Sequence, residues 1–206
     1  MLATHLSEYA GRSDVLVLAL PRGGLPVAEE IAAALKAPLD IFVVRKIGVP
    51  GHPELAMGAV ASSGNVTVNT EVVQSLGIDA TQFRAAYLEE LRELGRREHA
   101  YRDGRNAESP TDKVVILVDD GLATGSSMRV AIEGVRDRHP ARVVIAVPVA
   151  PRQTLDELSA IADEIVCPLV PQAFYAVGLY YANFDQVSDE EVRASLARAA
   201  RRRNAA

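Results

Sequence analysis

The sequence predicts an α/β fold with a doubly wound parallel sheet, and three observations carry that prediction. Apolar, β-branched runs recur along the chain, helical patterns lie between them, and the strongest runs are apolar on both faces. A strand buried on both faces belongs to a parallel sheet covered by helices rather than to a sheet with one wet face.

Residues 15–20, Val-Leu-Val-Leu-Ala-Leu, read as the first buried strand. Pro26 suits the first turn of the following helix, where Val27, Ile31 and Leu35 fall on one face before Pro38 breaks the pattern. Ile41-Phe42-Val43-Val44 reads as a second strand. Residues 57–69 hold two short β-like runs around Ser62-Ser63-Gly64-Asn65, the pattern of a hairpin. Residues 79–102 are charged and helical, with Phe83, Tyr87, Leu91 and Leu94 on one stripe and Glu93 placed to pair with Arg97. This reads as a solvated amphipathic helix lying on the core, with a subunit contact as the alternative use of the stripe. A polar linker, 103–112, leads to the third strand, 114–118. Then follow a helix over 126–138, a fourth strand at 142–147, a helix begun by Pro151 and a short strand at 165–167. Cys167 is read there as a small buried hydrophobe. The tail, 194–206, reads as a fraying helix end with Arg201-Arg202-Arg203 at its C-terminus.

The 206 residues form one predicted domain, with a core over about 13–168, an insertion over about 47–112 and a C-terminal segment over about 169–206. A single cysteine excludes a disulfide framework and a cysteine-based zinc site, and His5, His52, His99 and His139 lack metal-ligand spacing. The formal net charge of −5 and the absence of a helix-turn-helix pattern argue against a nucleic-acid partner. No apolar stretch approaches the roughly 18–20 residues of a membrane span. Met1-Leu2-Ala3-Thr4-His5 lacks the basic and apolar regions of a signal peptide, so a cytoplasmic protein is expected.

The chemistry concentrates in Val114-Val115-Ile116-Leu117-Val118-Asp119-Asp120-Gly121-Leu122-Ala123-Thr124-Gly125-Ser126-Ser127. A buried strand delivers two carboxylates to its C-terminal edge, where ligands bind in open α/β sheets. The loop that follows turns backbone N–H groups toward one point at a helix N-terminus, which favours an anion. Gly125 permits close approach, and the hydroxyls of Thr124, Ser126 and Ser127 add donors. The loop suits a phosphate, and the carboxylates suit hydroxyls or a hydrated cation. A phosphorylated sugar supplies both. A receiver-like domain would also place aspartates at a strand end, but it leaves the Thr-Gly-Ser-Ser loop unused.

This segment resembles the phosphoribosyl-pyrophosphate (PRPP) motif of type I phosphoribosyltransferases at every motif position. The resemblance implies that Asp119 and Asp120 hold the ribose hydroxyls, and magnesium indirectly through those hydroxyls or water. It places the 5-phosphate on Ala123, Thr124, Gly125, Ser126 and Ser127. Pro21-Arg22-Gly23-Gly24, after the first strand, resembles the family's pyrophosphate loop. Independently of that, Arg22 offers a fork of donors and the glycines let N–H groups face an anion. Arg45-Lys46-Ile47-Gly48-Val49-Pro50-Gly51 resembles the segment that opens the flexible loop in adenine phosphoribosyltransferases, which gives Arg45 and Lys46 to pyrophosphate and makes the loop a lid. Glu54, within it, reads as a solvated residue, with a catalytic acid as the alternative.

Val170-Pro171-Gln172-Ala173-Phe174-Tyr175-Ala176-Val177-Gly178 is similar to the base-binding hood of hypoxanthine-guanine phosphoribosyltransferases, which assigns Phe174, Tyr175 and Val177 to the base. Tyr180 and Tyr181 could join them. Gln172 stands where those enzymes have an acid, Ala182 where they have a magnesium-binding Asp, and Ala123 where they aim an Asp at the base. These departures weigh against a 6-oxopurine. Over nearly its full length the chain is similar to a bacterial group of stand-alone phosphoribosyltransferases, a resemblance that implies PRPP chemistry without naming a base.

The expectation is therefore an enzyme that transfers phosphoribosyl from PRPP, with magnesium, to a nitrogenous base and releases pyrophosphate. Asp119, Asp120, Arg22 and Lys46 would be its catalytic set, and the resemblance implies a homodimer. The rival is a PRPP- or nucleotide-sensing regulatory protein on the same fold.

Overall fold

The computed structural model describes residues 2–204. Five parallel strands form the main sheet: β1 (Val15–Ala19), β2 (Leu39–Ile41), β6 (Val114–Val118), β7 (Arg142–Ala146) and β8 (Glu164–Val166), in the order β2-β1-β6-β7-β8. The excursion between β2 and β6 holds a three-stranded antiparallel sheet of β3 (Val44–Val49), β4 (His52–Ala61) and β5 (Val66–Val68), then α2 (Thr70–Ser75) and α3 (Ala80–Arg102). The remaining helices are α1 (Gly24–Leu35), α4 (Ser126–Arg136), α5 (Arg152–Leu158) and α6 (Asp189–Asn204), with 3-10 turns at Leu2–Tyr9 and Val177–Tyr180.

The side-chain period of a strand explains the two-sided core. Val15, Val17 and Ala19 of β1 face one apolar cluster, with Leu25, Ile31 and Leu35 of α1 and Val192 and Leu196 of α6. Leu16 and Leu18 face the other, with Met128, Ala131 and Val135 of α4 and Leu155 and Leu158 of α5. β6 divides the same way, Ile116 to the first cluster and Leu117 to the second. Helices on both faces thus remove every central strand from water, as the continuous apolar runs require. Among the described residues no helix is long and apolar enough to cross a membrane.

The amphipathic helix of the excursion lies on the core. Asp79 accepts from the N–H groups of Thr81 and Gln82 at 2.8 Å, and Gln82 accepts from the Asp79 N–H, a reciprocal cap that fixes where α3 starts. Leu94 is buried, and Phe83, Tyr87 and Leu91 pack against the first cluster. Glu93 takes Arg97 at 2.8 Å and Arg96 at 2.7 Å.

The structure corrects four expectations. The run 41–44 is not one strand: β2 ends at Ile41, the Phe42 N–H still donates to the Ala19 carbonyl at 2.9 Å, and the chain then leaves for the second sheet, where β3 begins at Val44. The β-branched sequence is continuous across that junction, so nothing in it marks the change of partner. Residues 45–51 are not an open loop but β3 and a turn at Pro50-Gly51, and Gly51 takes the positive φ of 81° that a tight turn needs. The basic tail does not fray within the described residues: Arg198 grips Glu29 of α1 through two bonds of 2.7 and 2.8 Å, Arg202 adds a third contact, and Arg203 reaches Glu108. Residues 205–206 lie outside the described residues. Cys167 is only half-buried, with its Sγ 3.4 Å from the Leu169 carbonyl oxygen.

Candidate active site

β1 and β6 are neighbours, yet the chain winds outward from them in opposite directions, to β2 on one side and to β7 and β8 on the other. Such a reversal leaves a crevice at the C-terminal strand edges. Both loops singled out in the sequence open there.

The loop after β6 is a backbone construction. Leu122 donates to the Val149 carbonyl at 2.9 Å, and the Thr154 hydroxyl of α5 donates to the Ala123 carbonyl at 2.6 Å. Gly125 is left-handed (φ 70°) and closes the turn into α4; a Cβ there would meet Thr154 Cγ2 at 2.7 Å. Gly125 supplies no side-chain cap to α4; the Ser126 N–H donates to Thr124 Oγ1 at 3.5 Å, and the hydroxyls of Thr124 and Ser126 lie 3.0 Å apart at the helix start. Ala123, Thr124 and Ser126 are exposed, Ser127 is half-buried. An open N-terminus with donors on a tight glycine turn can hold a phosphate.

Asp119 and Asp120 sit at the strand edge, partly buried. The Asp120 N–H donates to Asp119 Oδ1 at 2.9 Å. Burial first, and the neighbouring Asp120 second, push the Asp119 carboxyl well above the usual carboxylate range, and burial pushes Asp120 up as well. Charge on this pair is therefore unfavourable until cations or hydroxyl donors face it. The phenol of Tyr181 donates to the Asp120 carbonyl at 2.5 Å, and burial, with the two carboxylates nearby, pushes that phenol up to about 12.

The loop after β1 is packed directly onto these acids. Gly24 donates to the Leu20 carbonyl at 3.1 Å, and the Pro21–Arg22 peptide is cis. A Cβ at Gly23 would overlap the Asp120 carboxylate, and one at Gly24 would lie 2.6 Å from the Val118 carbonyl oxygen and 2.8 Å from Asp119 Cα. At position 24, where the obstructing atoms are main chain, only glycine permits this approach. Arg22, Gly23 and Asp120 share a cavity of about 630 Å3 with Pro26, Val27 and residues 181 and 183–187. Arg22 Nη1 stands 3.4 Å from Asp189 Oδ1, to which the Tyr101 phenol also donates at 2.9 Å.

The structure does not bring every anticipated residue to this cavity. Arg45 is held by Glu90 of α3, and Lys46, exposed on the other face of β3, has no ion-pair partner among the described residues; neither lines the cavity. Phe174 stacks on Tyr180 at 5.8 Å, Tyr175 is 82% exposed, and Val177 packs on Gly121. Of the candidate rings Tyr181 does line the cavity, together with Phe184, 5.1 Å from it between ring centres, and with Asn183, Asp185 and Gln186 as polar neighbours. Of these, only the aromatic spacing of 181 and 184 is a signal in sequence. His52 and Glu54 face each other at 3.5 Å, both well exposed. Among the described residues no group of three or more His, Cys, Asp or Glu could hold a metal on its own. Asp119 and Asp120 nevertheless fit magnesium bound partly by ligand oxygens, because it needs only one or two carboxylates and the pair's charge is unfavourable without it.

Comparison with known proteins agrees with this geometry. The family described as "Phosphoribosyl transferase domain" matches residues 1–183. Two Mycobacterium tuberculosis proteins provisionally named phosphoribosyl transferases, Rv0571c and MT0597, are each 44% identical over 200 residues, 97% of this chain but 45% of theirs. The chain thus spans less than half the length of these relatives. The crystal structure of TT1426 from Thermus thermophilus is 41% identical, covers 96% of this chain and 93% of its own, and superposes with a TM-score of 0.80.

Proposed function

Because the chain belongs to the phosphoribosyl transferase domain family, we propose that it binds PRPP at the β1/β6 edge and transfers its phosphoribosyl group to a nitrogenous base. The observation that carries this reading is the contact between the two loops: Gly23 and Gly24 lie against Asp119 and Asp120, so an anion on the first loop and hydroxyls on the second belong to one ligand.

In this reading the N-terminus of α4, with Thr124, Gly125, Ser126 and Ser127, holds the 5-phosphate. Asp119 and Asp120 accept the ribose hydroxyls. Arg22 and the N–H groups of Gly23 and Gly24 take the pyrophosphate. A ring nitrogen of the base forms the new bond to C1 as the C1–oxygen bond to pyrophosphate breaks; the electron pair leaves with pyrophosphate, and the ring N–H proton is released to solvent or to the departing pyrophosphate. The transition state carries positive charge on the ribose, next to the aspartates, and negative charge on the leaving group, next to Arg22; catalysis is then positioning and electrostatics. Magnesium, when bound, supplies further neutralisation of the pyrophosphate. Tyr181 and Phe184 offer the base a stacking wall.

A PRPP-sensing regulator is the second reading, and one observation favours it: Arg45 is engaged by Glu90, which leaves Arg22 as the cation at the cavity. Turnover with any base decides between the two.

The test is calorimetric titration of PRPP, with and without magnesium, into wild type and Asp119→Asn/Asp120→Asn. The reading expects magnesium-dependent micromolar binding, lost in the variant. Equal binding by the variant would remove the aspartates from the site, and no binding by wild type would remove PRPP.

A further inference from the structure

We propose that Asp189, together with Tyr101 behind it, is a positioning residue that holds the Arg22 guanidinium toward the pyrophosphate side of the cavity. The inference rests on the reading of 21–24 as the pyrophosphate loop.

Asp189 is the first residue of α6, far from β1 in sequence, and it belongs to an element with a fixed seat. Val192 and Leu196 anchor the helix in the core. Ser188 caps it reciprocally: its N–H donates to Glu191 Oε2 at 2.7 Å and its Oγ accepts from the Glu191 N–H at 3.2 Å. The helix start is thus defined on both sides of Asp189. Its Oδ1 receives two donors from two other elements, the Tyr101 phenol at 2.9 Å and Arg22 Nη1 at 3.4 Å. Tyr101 is 1% exposed, at the last turn of α3, so its hydroxyl has little alternative to this carboxylate.

An aspartate in a first helical turn would be favourable in any case through the helix dipole. That role needs only a solvated carboxylate. It does not need a buried phenol behind the carboxylate or a guanidinium from the cavity in front of it. Arg22, by contrast, gains from a tether. A free arginine side chain carries rotamer entropy that anion binding would have to overcome. Engagement of one Nη leaves the remaining N–H donors of the fork for the ligand. Among the described residues no other acceptor engages this guanidinium.

The experiment compares the affinities of PRPP and ribose 5-phosphate for wild type, Arg22→Gln, Asp189→Asn, Tyr101→Phe and Arg22→Gln/Asp189→Asn. Ribose 5-phosphate uses the phosphate loop and the aspartates but not Arg22, so the ratio of the two affinities isolates the guanidinium. Asp189→Asn is expected to weaken PRPP about tenfold, the equivalent of about 1.4 kcal/mol, and to leave ribose 5-phosphate within about twofold. The double variant should be no weaker than Arg22→Gln alone, because Asp189 acts through that residue. Tyr101→Phe, which keeps the packing volume, should move the ratio the same way by about threefold. An unchanged ratio in Asp189→Asn and Tyr101→Phe overturns the inference while the pyrophosphate loop stands. Equal losses for both ligands overturn it in favour of a structural role. An unchanged ratio in Arg22→Gln, or wild type that binds neither ligand, overturns the underlying reading instead.

Discussion

The two loops that meet at the β1/β6 edge are built on opposite plans. The loop after β6 assembles its donors from one contiguous stretch, 121–127, using backbone N–H groups, short hydroxyls and the start of α4. The loop after β1 contributes two glycines and one long cation, and that cation leans on residues from α6 and α3. The first takes its donors from one stretch, with Val149 and Thr154 pinning its backbone; the second takes its support from Tyr101 and from Asp189, which lies 167 residues after Arg22. A contiguous anion site is rigid because each donor is fixed by its neighbours in sequence. A side-chain site is rigid only as far as its tertiary supports are.

The contrast breaks most severely where the two plans touch. Gly24→Ala puts a methyl group against backbone atoms of both Val118 and Asp119, which cannot rotate away. We expect a loss of about a hundredfold in PRPP affinity or turnover, the scale of an ångström-level displacement at a positioned site. Wild-type behaviour in calorimetry would show the loops to be independent. A smaller effect sharpens the local plan. Thr154→Val removes the 2.6 Å bond to the Ala123 carbonyl and nothing else from the loop, so ribose 5-phosphate and PRPP should both weaken about three- to fivefold. A loss confined to PRPP would move Thr154 to the other loop.

The mildest effect concerns stability. Both carboxyls lie above their ordinary range, so this pair binds more protons in the folded chain than in the unfolded one between the two sets of values. The stability contributed by this pair is therefore highest at acid pH and falls as pH rises from about 4 through the raised folded values. Asp119→Asn should raise the melting temperature at pH 7 by about 2–4 °C, with the gain shrinking toward pH 4. Scanning calorimetry at several pH values checks it; a gain that grows on acidification would reverse the sign of the argument.

The same division governs what could be read from the sequence. Strands β1, β6 and β7 and the helices after them are legible because their apolar runs have one reading and their ends carry loops or glycine. The loop after β6 is legible as a glycine turn into a helix because it is contiguous. The passage from β2 to β3 is hidden, because Ile41 to Val44 is β-branched or aromatic throughout while the hydrogen-bond partner changes. Arg45 looks free in sequence, yet it falls on the strand face that meets Glu90. Tyr181 stands in sequence only as one of several candidate rings, and Phe184 escapes, because 171–187 holds only one short 3-10 turn and no period says which rings turn inward. The tail looks frayed until Glu29, on another helix, supplies its partner.

The glycines at 23 and 24 also differ in what evolution can do with them. A side chain at 23 would collide with the Asp120 carboxylate, so a smaller residue at 120 could make room, at the expense of the ribose contact proposed for that carboxylate. A side chain at 24 would collide with main chain, which no substitution at a neighbour can trim. Position 23 is thus tied to position 120 in any lineage of this fold that keeps the same loop contact, whereas position 24 has no partner that could change with it.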